Sequence, residues 1–115
     1  MKYILLISGN EQSLARRSEG EVKQVVGQHM KVAQDLRTAG KMVAAERLRP
    51  QAEATRIRMK AGQPQLTDGP FAETKEVIGG FYLIDCASKA EAVEWASKLP
   101  IYDDGFIEVR PVWEM

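Results

Sequence analysis

Chemically reactive side chains are scarce in this sequence. Among 115 residues it holds one cysteine, Cys86, and one histidine, His29. A single cysteine excludes an intramolecular disulfide, and one histidine with one cysteine leaves a mononuclear zinc site short of its usual ligands. Because Cys86 ends an apolar run, we expect a small buried side chain there rather than a nucleophile. The sequence therefore predicts no metal.

Neither sign of charge is in excess. The 16 lysines and arginines balance 16 aspartates and glutamates, so the chain has no global field that would draw it to nucleic acid or to an anionic membrane. Basic residues concentrate between Arg47 and Lys60, but their alternation there is typical of the solvated face of a hairpin. We therefore predict neither a nucleic-acid partner nor a membrane partner.

Long hydrophobic runs and cofactor-binding loops are also missing. The apolar opening over 1–8 ends at Gly9 and Asn10, too early for a signal peptide or a membrane span. Gly79 and Gly80 stand at the start of a predicted strand and lack the following helix of a phosphate-binding loop. We predict a cytoplasmic protein without a cofactor, and the length predicts a single domain over 1–115.

The predicted elements follow the order strand, helix, strand, hairpin, strand, helix, strand. Apolar spacing and capping signals give helices over 19–39 and 89–98, and strands over 2–8, 41–48, 55–60, 65–67, 80–86 and 106–113. Without the inserted β-hairpin this is the βαββαβ pattern of ferredoxin-like α+β folds, in which two helices cover one face of an antiparallel sheet.

The first strand predicts a second copy of the chain. From Tyr3 to Ile7 it is apolar at every position, whereas a strand with one solvated face alternates. Two helices cover only one face of the sheet, and an uncovered apolar face is larger than soluble monomers usually expose. We therefore expect a two-fold homodimer that packs sheet to sheet.

His29 lies in the middle of the apolar stripe of the first predicted helix, so it points towards the sheet. An imidazole in that position needs a hydrogen-bond partner or a water-filled cavity beside it. A satisfied interior histidine is the simpler interpretation, and a functional site is the other.

A turn with several ionisable side chains precedes the strand at 80–86. Gly69 before Pro70 is a strong turn signal, and Asp68 is favoured at the start of such turns because its carboxylate accepts backbone N–H groups. A short helical turn is expected over 72–76, where Lys75 and Glu76 fit a solvated local ion pair.

The run from Asp68 to Glu76, continued by Gly79 to Ile84, closely resembles the signature of the DGPF-domain proteins, a branch of the YCII-related family. The resemblance extends over the opening Met1–Leu6, the His29 helix, the segment 46–50 and the closing segment 108–113, so it includes essentially the whole chain. It implies a dimeric α+β barrel built on a ferredoxin-like protomer.

The resemblance also implies a histidine–aspartate pair in a cleft between helix and sheet, which by match of motif would be His29 and Asp68. Relatives in the wider group resemble muconolactone-isomerase-type and dehydrochlorinating enzymes. Genes for DGPF proteins often lie beside those for sigma factors of the extracytoplasmic-function type, which implies a regulatory setting.

Such a pair is chemically sensible, because a carboxylate on one ring nitrogen fixes the tautomer of a histidine that acts as a general base. An arginine would anchor an anionic substrate, a glutamate would carry a second proton, and a tyrosine would donate a hydrogen bond to a substrate oxygen. The residues expected to line the cavity in these roles are Glu46, Glu73, Tyr82 and Arg110.

Two functions fit these expectations. One is a small cofactor-independent enzyme, of the isomerase, lyase or dehydrochlorinase type, in which His29 moves a proton on a small anionic organic molecule. The other is a non-catalytic ligand-binding or interaction module in transcriptional regulation. Changing His29 to Gln separates them, because it abolishes turnover in the first case and alters only affinity in the second.

Overall fold

The computed structural model describes residues 1–71, 77–102 and 104–115, and it has an α+β fold with antiparallel sheets. A 3-10 turn at Gln51–Glu53 separates the second and third strands. The helices are α1 (Glu11–Ala15), α2 (Glu19–Thr38) and α3 (Lys89–Ala96), and the strands are β1 (Lys2–Gly9), β2 (Met42–Arg47), β3 (Thr55–Lys60), β4 (Gln63–Asp68), β5 (Val77–Asp85) and β6 (Phe106–Pro111).

The main sheet has four strands in the order β2-β5-β1-β6, all antiparallel to their neighbours, which is compatible with a ferredoxin-like fold. β5 begins at Val77, three residues before the predicted start. The prediction began at Gly80 because Gly79, which has low strand propensity, separates Val77 and Ile78 from the apolar run that follows. In the sheet, Gly80 lies so close to β2 that an added Cβ would stand 2.9 Å from the carbonyl oxygen of Glu46.

Local sequence signals fix both ends of α2. Ser18 Oγ caps the helix by accepting a hydrogen bond from the backbone N–H of Glu21 at 3.2 Å, and its hydroxyl donates to the Glu21 carboxylate at 3.2 Å. At the other end Gly40 adopts a φ of 71°, and the N–H of Lys41 donates to Leu36 O at 2.9 Å. This is a Schellman C-cap, for which glycine is the favoured residue.

The hydrophobic core lies between the helices and one side of the main sheet. Leu5, Leu36 and Ile84 are fully buried at its centre, and Cys86 is also buried, as predicted. The register places alternate strand residues on this helix side, among them Tyr3, Leu5, Tyr82, Ile84 and Val109.

The other side of the sheet carries a second apolar group. Ile4, Leu6, Phe81 and Leu83 are cross-strand neighbours there, and each is half-buried. In the described part of the chain, the fully packed core residues all lie on the helix side. The open side therefore keeps the apolar character that the first strand predicts.

β3 and β4 form a separate two-stranded antiparallel sheet that stands away from the core. The side chains of Ile57, Met59 and Leu66 are 66%, 67% and 67% exposed. The radius of gyration is 16.1 Å, against about 13 Å for a compact domain of this length. The extents of 47 × 43 × 19 Å describe a flat molecule with a projecting arm.

The segment between β1 and α2, for which the sequence predicts no helix or strand, contains the short helix α1. Asn10 caps it by accepting a hydrogen bond from the N–H of Gln12 at 2.9 Å. Five residues are too few for an apolar period to appear, so only the cap was available as a signal.

Candidate functional site

A cleft of about 370 Å³ separates the N-terminal half of α2 from the edge of the main sheet formed by β2 and β5. Its walls are mostly apolar. α2 contributes Val22, Val25, Val26, His29 and Met30, and the sheet contributes Ile7, Ala45, Gly80 and Tyr82.

The cleft exists because β5 carries large side chains towards one end and glycines towards the other. Opposite the C-terminal half of α2, the side chain of Ile84 is fully buried in the core. Towards the other end of the strand stand Gly79 and Gly80, which have no side chains to fill the space and line the cleft. A larger hollow of about 700 Å³ adjoins this one and shares His29, Arg47, Gly79 and Tyr102 with it.

His29 is held at the boundary between core and cleft by Tyr82. Its Nδ1 lies 2.8 Å from Tyr82 Oη, and the two rings stack with centroids 5.9 Å apart and planes 13° apart. Tyr82 Oη also lies 3.5 Å from the carbonyl oxygen of His29. Both contacts are satisfied if Nδ1–H donates to Oη and the phenol donates to the carbonyl. That arrangement leaves the lone pair on Nε2, which makes no hydrogen bond to the described residues.

The electrostatics keep this pair neutral. Burial, and to a smaller extent the positive charge of Arg47, lower the pKa of His29 below its ordinary value of 6.5. Burial raises the pKa of Tyr82, against the weaker opposing effect of Arg37. At neutral pH the imidazole is therefore unprotonated and the phenol is protonated, which is the state that a general base requires.

Two arginines line the cleft beside this pair. Arg17 places its guanidinium carbon 3.5 Å from the ring centroid of Tyr102, and its Nη1 lies 3.5 Å from a carboxylate oxygen of Glu21. Its Nε is buried and has no hydrogen-bond partner among the described residues. Arg47 pairs with Gly80 across β2 and β5 and reaches both hollows.

Comparison with known proteins gives one consistent result. The YCII-related domain matches residues 1–115 of this chain. The chain belongs to the YCII-related family. It is also 40% identical, over 114 residues, to the uncharacterized protein R00369 of Rhizobium meliloti (strain 1021), and the alignment includes 97% of this chain and 92% of that protein.

In this YCII-related protein the DGPF turn packs against the body of the molecule. The N–H of Gly69 donates to Ala54 O at 2.8 Å, and the N–H of Phe71 donates to Gln51 Oε1 at 3.4 Å. A Cβ at residue 69 would collide with the carbonyl oxygen of Gln51, so glycine is required by close approach. Arg56 stacks on the Phe71 ring at 3.7 Å. These contacts give the motif a structural role in this chain.

Asp68 is the last residue of β4 and pairs with Thr55 at the base of the hairpin. It is exposed, and its Oδ1 accepts a hydrogen bond from Thr55 Oγ1 at 2.9 Å. It is not among the residues that line either hollow, and the group within reach of the His29 ring is Tyr82. The pairing of His29 with Asp68 stays a prediction, while the cavity beside His29 is present.

The other predicted site residues divide into three groups. Tyr82 and Glu46 are both lining residues of the cleft, but Glu46 pairs with Phe81 across β2 and β5, so its exposed side chain lies on the open side of the sheet. Arg110 is remote from it: its side chain is 67% exposed on the open side of the sheet, and its Nε lies 3.9 Å from a carboxylate oxygen of Glu108. Glu73, together with the helical turn expected over 72–76, lies outside the described residues.

Sequence reasoning did not assign a role to Arg17, Arg47 or Tyr102. Arg47 had a usable signal, because it stands two residues after Ala45 and therefore shares its face of β2. Arg17 precedes the capping Ser18, but nothing local indicates that it turns towards α2. Tyr102 comes from a loop 85 positions away from Arg17 in sequence, so their contact depends on the fold.

In 1–71, 77–102 and 104–115, no cluster of three or more histidine, cysteine, aspartate or glutamate side chains is placed to hold a metal ion. The same ranges contain no helix with the length and apolarity that a membrane span needs.

Proposed function

We propose that this YCII-related protein binds a small organic molecule in the cleft and that His29 moves a proton on it. The observation that carries the proposal is a neutral histidine, fixed by Tyr82, at the wall of an apolar cleft large enough for a small ligand. The reaction class is that of a cofactor-independent isomerase, lyase or dehydrochlorinase.

The proposed step uses Nε2 as the base. It removes a proton from a carbon next to a carbonyl group, and the C–H electron pair moves into an enolate. In an isomerase the imidazolium returns a proton to another carbon; in a dehydrochlorinase the electron pair forms a C=C bond and chloride leaves. A positioned base of this kind contributes about 10²- to 10⁴-fold to the rate.

Tyr82 is the proposed positioning residue for His29. By donating its hydroxyl hydrogen to the His29 carbonyl, it accepts from Nδ1–H and keeps the lone pair on Nε2. The family resemblance assigns the orienting role to Asp68 instead, and this stands as an alternative proposal in which its carboxylate takes the place of Tyr82 at Nδ1. Asp68→Asn tests it separately, because the substitution removes the carboxylate charge and leaves Tyr82 unchanged.

The experiment uses deuterium uptake, which detects proton abstraction whichever compound is the substrate. The protein is incubated in D₂O with a library of small keto acids and chlorinated acids, and mass spectrometry and chloride release report the reaction. Wild-type protein is expected to label or dechlorinate at least one compound. His29→Gln should lower that rate by about 100-fold or more, and Tyr82→Phe should lower it less.

Binding measured on the same compounds separates the two candidate functions. If a compound binds wild-type protein and undergoes no exchange, and His29→Gln changes only its affinity, the protein is a ligand-binding module and the proposed proton transfer is wrong. The regulatory alternative, linked to sigma factors, would then be the better description.

A homodimer through the open side of the sheet is part of this proposal. The support is the cluster of half-buried Ile4, Leu6, Phe81 and Leu83 on that side. Leu83→Lys is expected to give a folded monomer in light scattering, while Val93→Lys, at a 43% exposed position on α3, should leave the dimer intact. Wild-type protein that runs as a 12.9 kDa monomer at micromolar concentration would exclude the dimer.

A further inference from the structure

Arg17 is arranged unlike an ordinary surface arginine. Only 25% of its side chain is exposed, although it lies in the connection between two helices. Its guanidinium is fixed in orientation by the Tyr102 ring, 3.5 Å from the ring centroid. An arginine that stacks on an aromatic ring has lost little hydrogen-bonding capacity, because the five N–H groups lie in the plane of the guanidinium.

The N–H groups of the Arg17 guanidinium are only partly engaged in hydrogen bonds. The contact with Glu21 engages Nη1 at 3.5 Å, which is longer than the charge-assisted hydrogen bonds of a well-formed pair, and Glu21 itself is 55% exposed. Nε is buried and has no partner in the described chain. A buried donor without a partner is unfavourable, so Arg17 would gain from an acceptor; one that enters from the cleft has to shift the atoms that cover Nε.

The residues that line the cleft indicate which chemical group Arg17 binds. Arg17 and Arg47 both line the cleft, whereas Glu46, the one carboxylate among its described lining residues, is exposed and shares the open side of the sheet with Phe81. The remaining walls are dominated by aliphatic and aromatic side chains. A group that carries one negative charge and two coplanar oxygens fits the guanidinium edge, and an apolar body fits the rest of the space.

We propose that Arg17 is the anion anchor of the cleft and that the protein takes small carboxylates with an apolar body. This inference rests on the proposed function, because it names the substrate class of the same cleft. It replaces Arg110 in the anchoring role, since Arg110 lies on the open side of the sheet. The guanidinium receives the carboxylate, and the Tyr102 ring holds the guanidinium plane in orientation.

Ligand binding is measured by NMR, from the chemical shift of the His29 side chain. Because His29 is the sole histidine, its Hε1 proton gives a single resonance that reports ligands in the cleft. The probes are three matched pairs of acid and amide: benzoate and benzamide, phenylacetate and phenylacetamide, hexanoate and hexanamide. Measurements at about pH 7.5 keep the acids ionised and His29 neutral.

At least one acid is expected to bind wild-type protein about tenfold or more tightly than its amide, the difference expected for a charge-assisted hydrogen bond. Arg17→Gln should remove that preference and leave the amide within about twofold of its wild-type affinity. Arg17→Lys, which keeps the charge and loses the planar fork, should retain only part of it. Arg16→Gln is the matched control, because Arg16 is exposed and does not line the cleft, and it should behave as wild type.

Two results overturn the anchor while leaving the proposed cleft intact: acids and amides that bind wild-type protein equally, or an acid preference that survives in both Arg17 variants. If neither acids nor amides move the His29 resonance, the anchor is wrong and the small-molecule cleft loses its support as well. Circular dichroism establishes that each variant is folded, and the wild-type comparison of acid with amide does not depend on any variant.

Discussion

The two halves of α2 present similar apolar residues to the same sheet, yet one half is core and the other is the wall of a cleft. In the C-terminal half, Val32 and Leu36 are 5% and 0% exposed. In the N-terminal half, Val22 and Val26 are 39% and 40% exposed, and both line the cleft. An apolar stripe therefore identifies the side of a helix that faces the sheet, while the side chains opposite decide whether the space is filled.

His29 sits where these halves meet. Tyr82 closes the core on one side of it, and Gly79 and Gly80 leave the cleft open on the other. A histidine further along α2 would be buried among apolar residues, and one further back would be solvated. The boundary position gives a neutral imidazole with one nitrogen held and the other accessible.

Shortening an apolar side chain should destabilise the protein much more in the C-terminal half of α2 than in the N-terminal half. Leu36→Ala removes a fully buried side chain from the core and should lower the free energy of unfolding by about 2–5 kcal/mol. Val26→Ala removes a side chain that already faces open space and should cost less than about 1 kcal/mol. Urea denaturation of both variants measures the contrast, and equal losses would show that the two halves are packed alike.

Removing the N-cap should loosen the cleft half before the core half. Ser18→Ala deletes the acceptor for the Glu21 N–H and should lower stability by about 1 kcal/mol. Amide hydrogen exchange is expected to accelerate most in the first turns of α2, beside Val22, and least around Leu36. Uniform acceleration along α2 would mean that the helix opens only as a whole.

A substitution in the cleft half should stabilise the protein. Gly27 is exposed within α2, and a Cβ there would meet no atom within 4 Å. Gly27→Ala should therefore raise the free energy of unfolding by about 0.5–1 kcal/mol, since alanine has the higher helix propensity. A loss of stability in thermal or urea unfolding would indicate that this face of α2 is covered by something else.

Because His29 titrates, the stability of the protein should decrease slightly as the pH falls. Because the folded protein holds the pKa of His29 below its ordinary value of 6.5, the unfolded chain binds the proton more readily. The free energy of unfolding is therefore not reduced by His29 above pH 6.5. It falls as the pH drops from 6.5 through the lowered pKa of His29 in the folded protein. His29→Gln should flatten this part of the stability curve, so the difference between the two curves measures the effect. Wild-type stability that rises relative to the variant as the pH falls would reverse the assignment.

The parts of the fold that local chemistry determines were readable from the sequence. Ser18 with Glu21, Ser88 with Glu91, and Gly40 mark helix ends because each signal lies within a few residues of the group that it caps. The direction of His29 towards the sheet followed from helical spacing in the same way. α1 and the true start of β5 were missed, because a five-residue helix shows no period and paired glycines weaken a strand signal.

The candidate site was only partly readable because its contacts join distant segments. Tyr82 was expected to line a cavity, but its hydrogen bond to His29 spans 53 positions. The stacking of Arg17 on Tyr102 similarly depends on where a loop returns to the helix side. The cleft itself is produced by the absence of side chains at Gly79 and Gly80, and in a sequence two adjacent glycines indicate only a turn or a bulge.

The tautomer of His29 is the most direct measurement of the central claim. Long-range ¹H–¹⁵N correlation spectra of protein labelled at its one histidine distinguish the two ring nitrogens and follow their protonation with pH. The account predicts a proton on Nδ1, a lone pair on Nε2 at neutral pH, and a midpoint below 6.5. A proton on Nε2 with Nδ1 as acceptor, or a midpoint above 6.5, would contradict it.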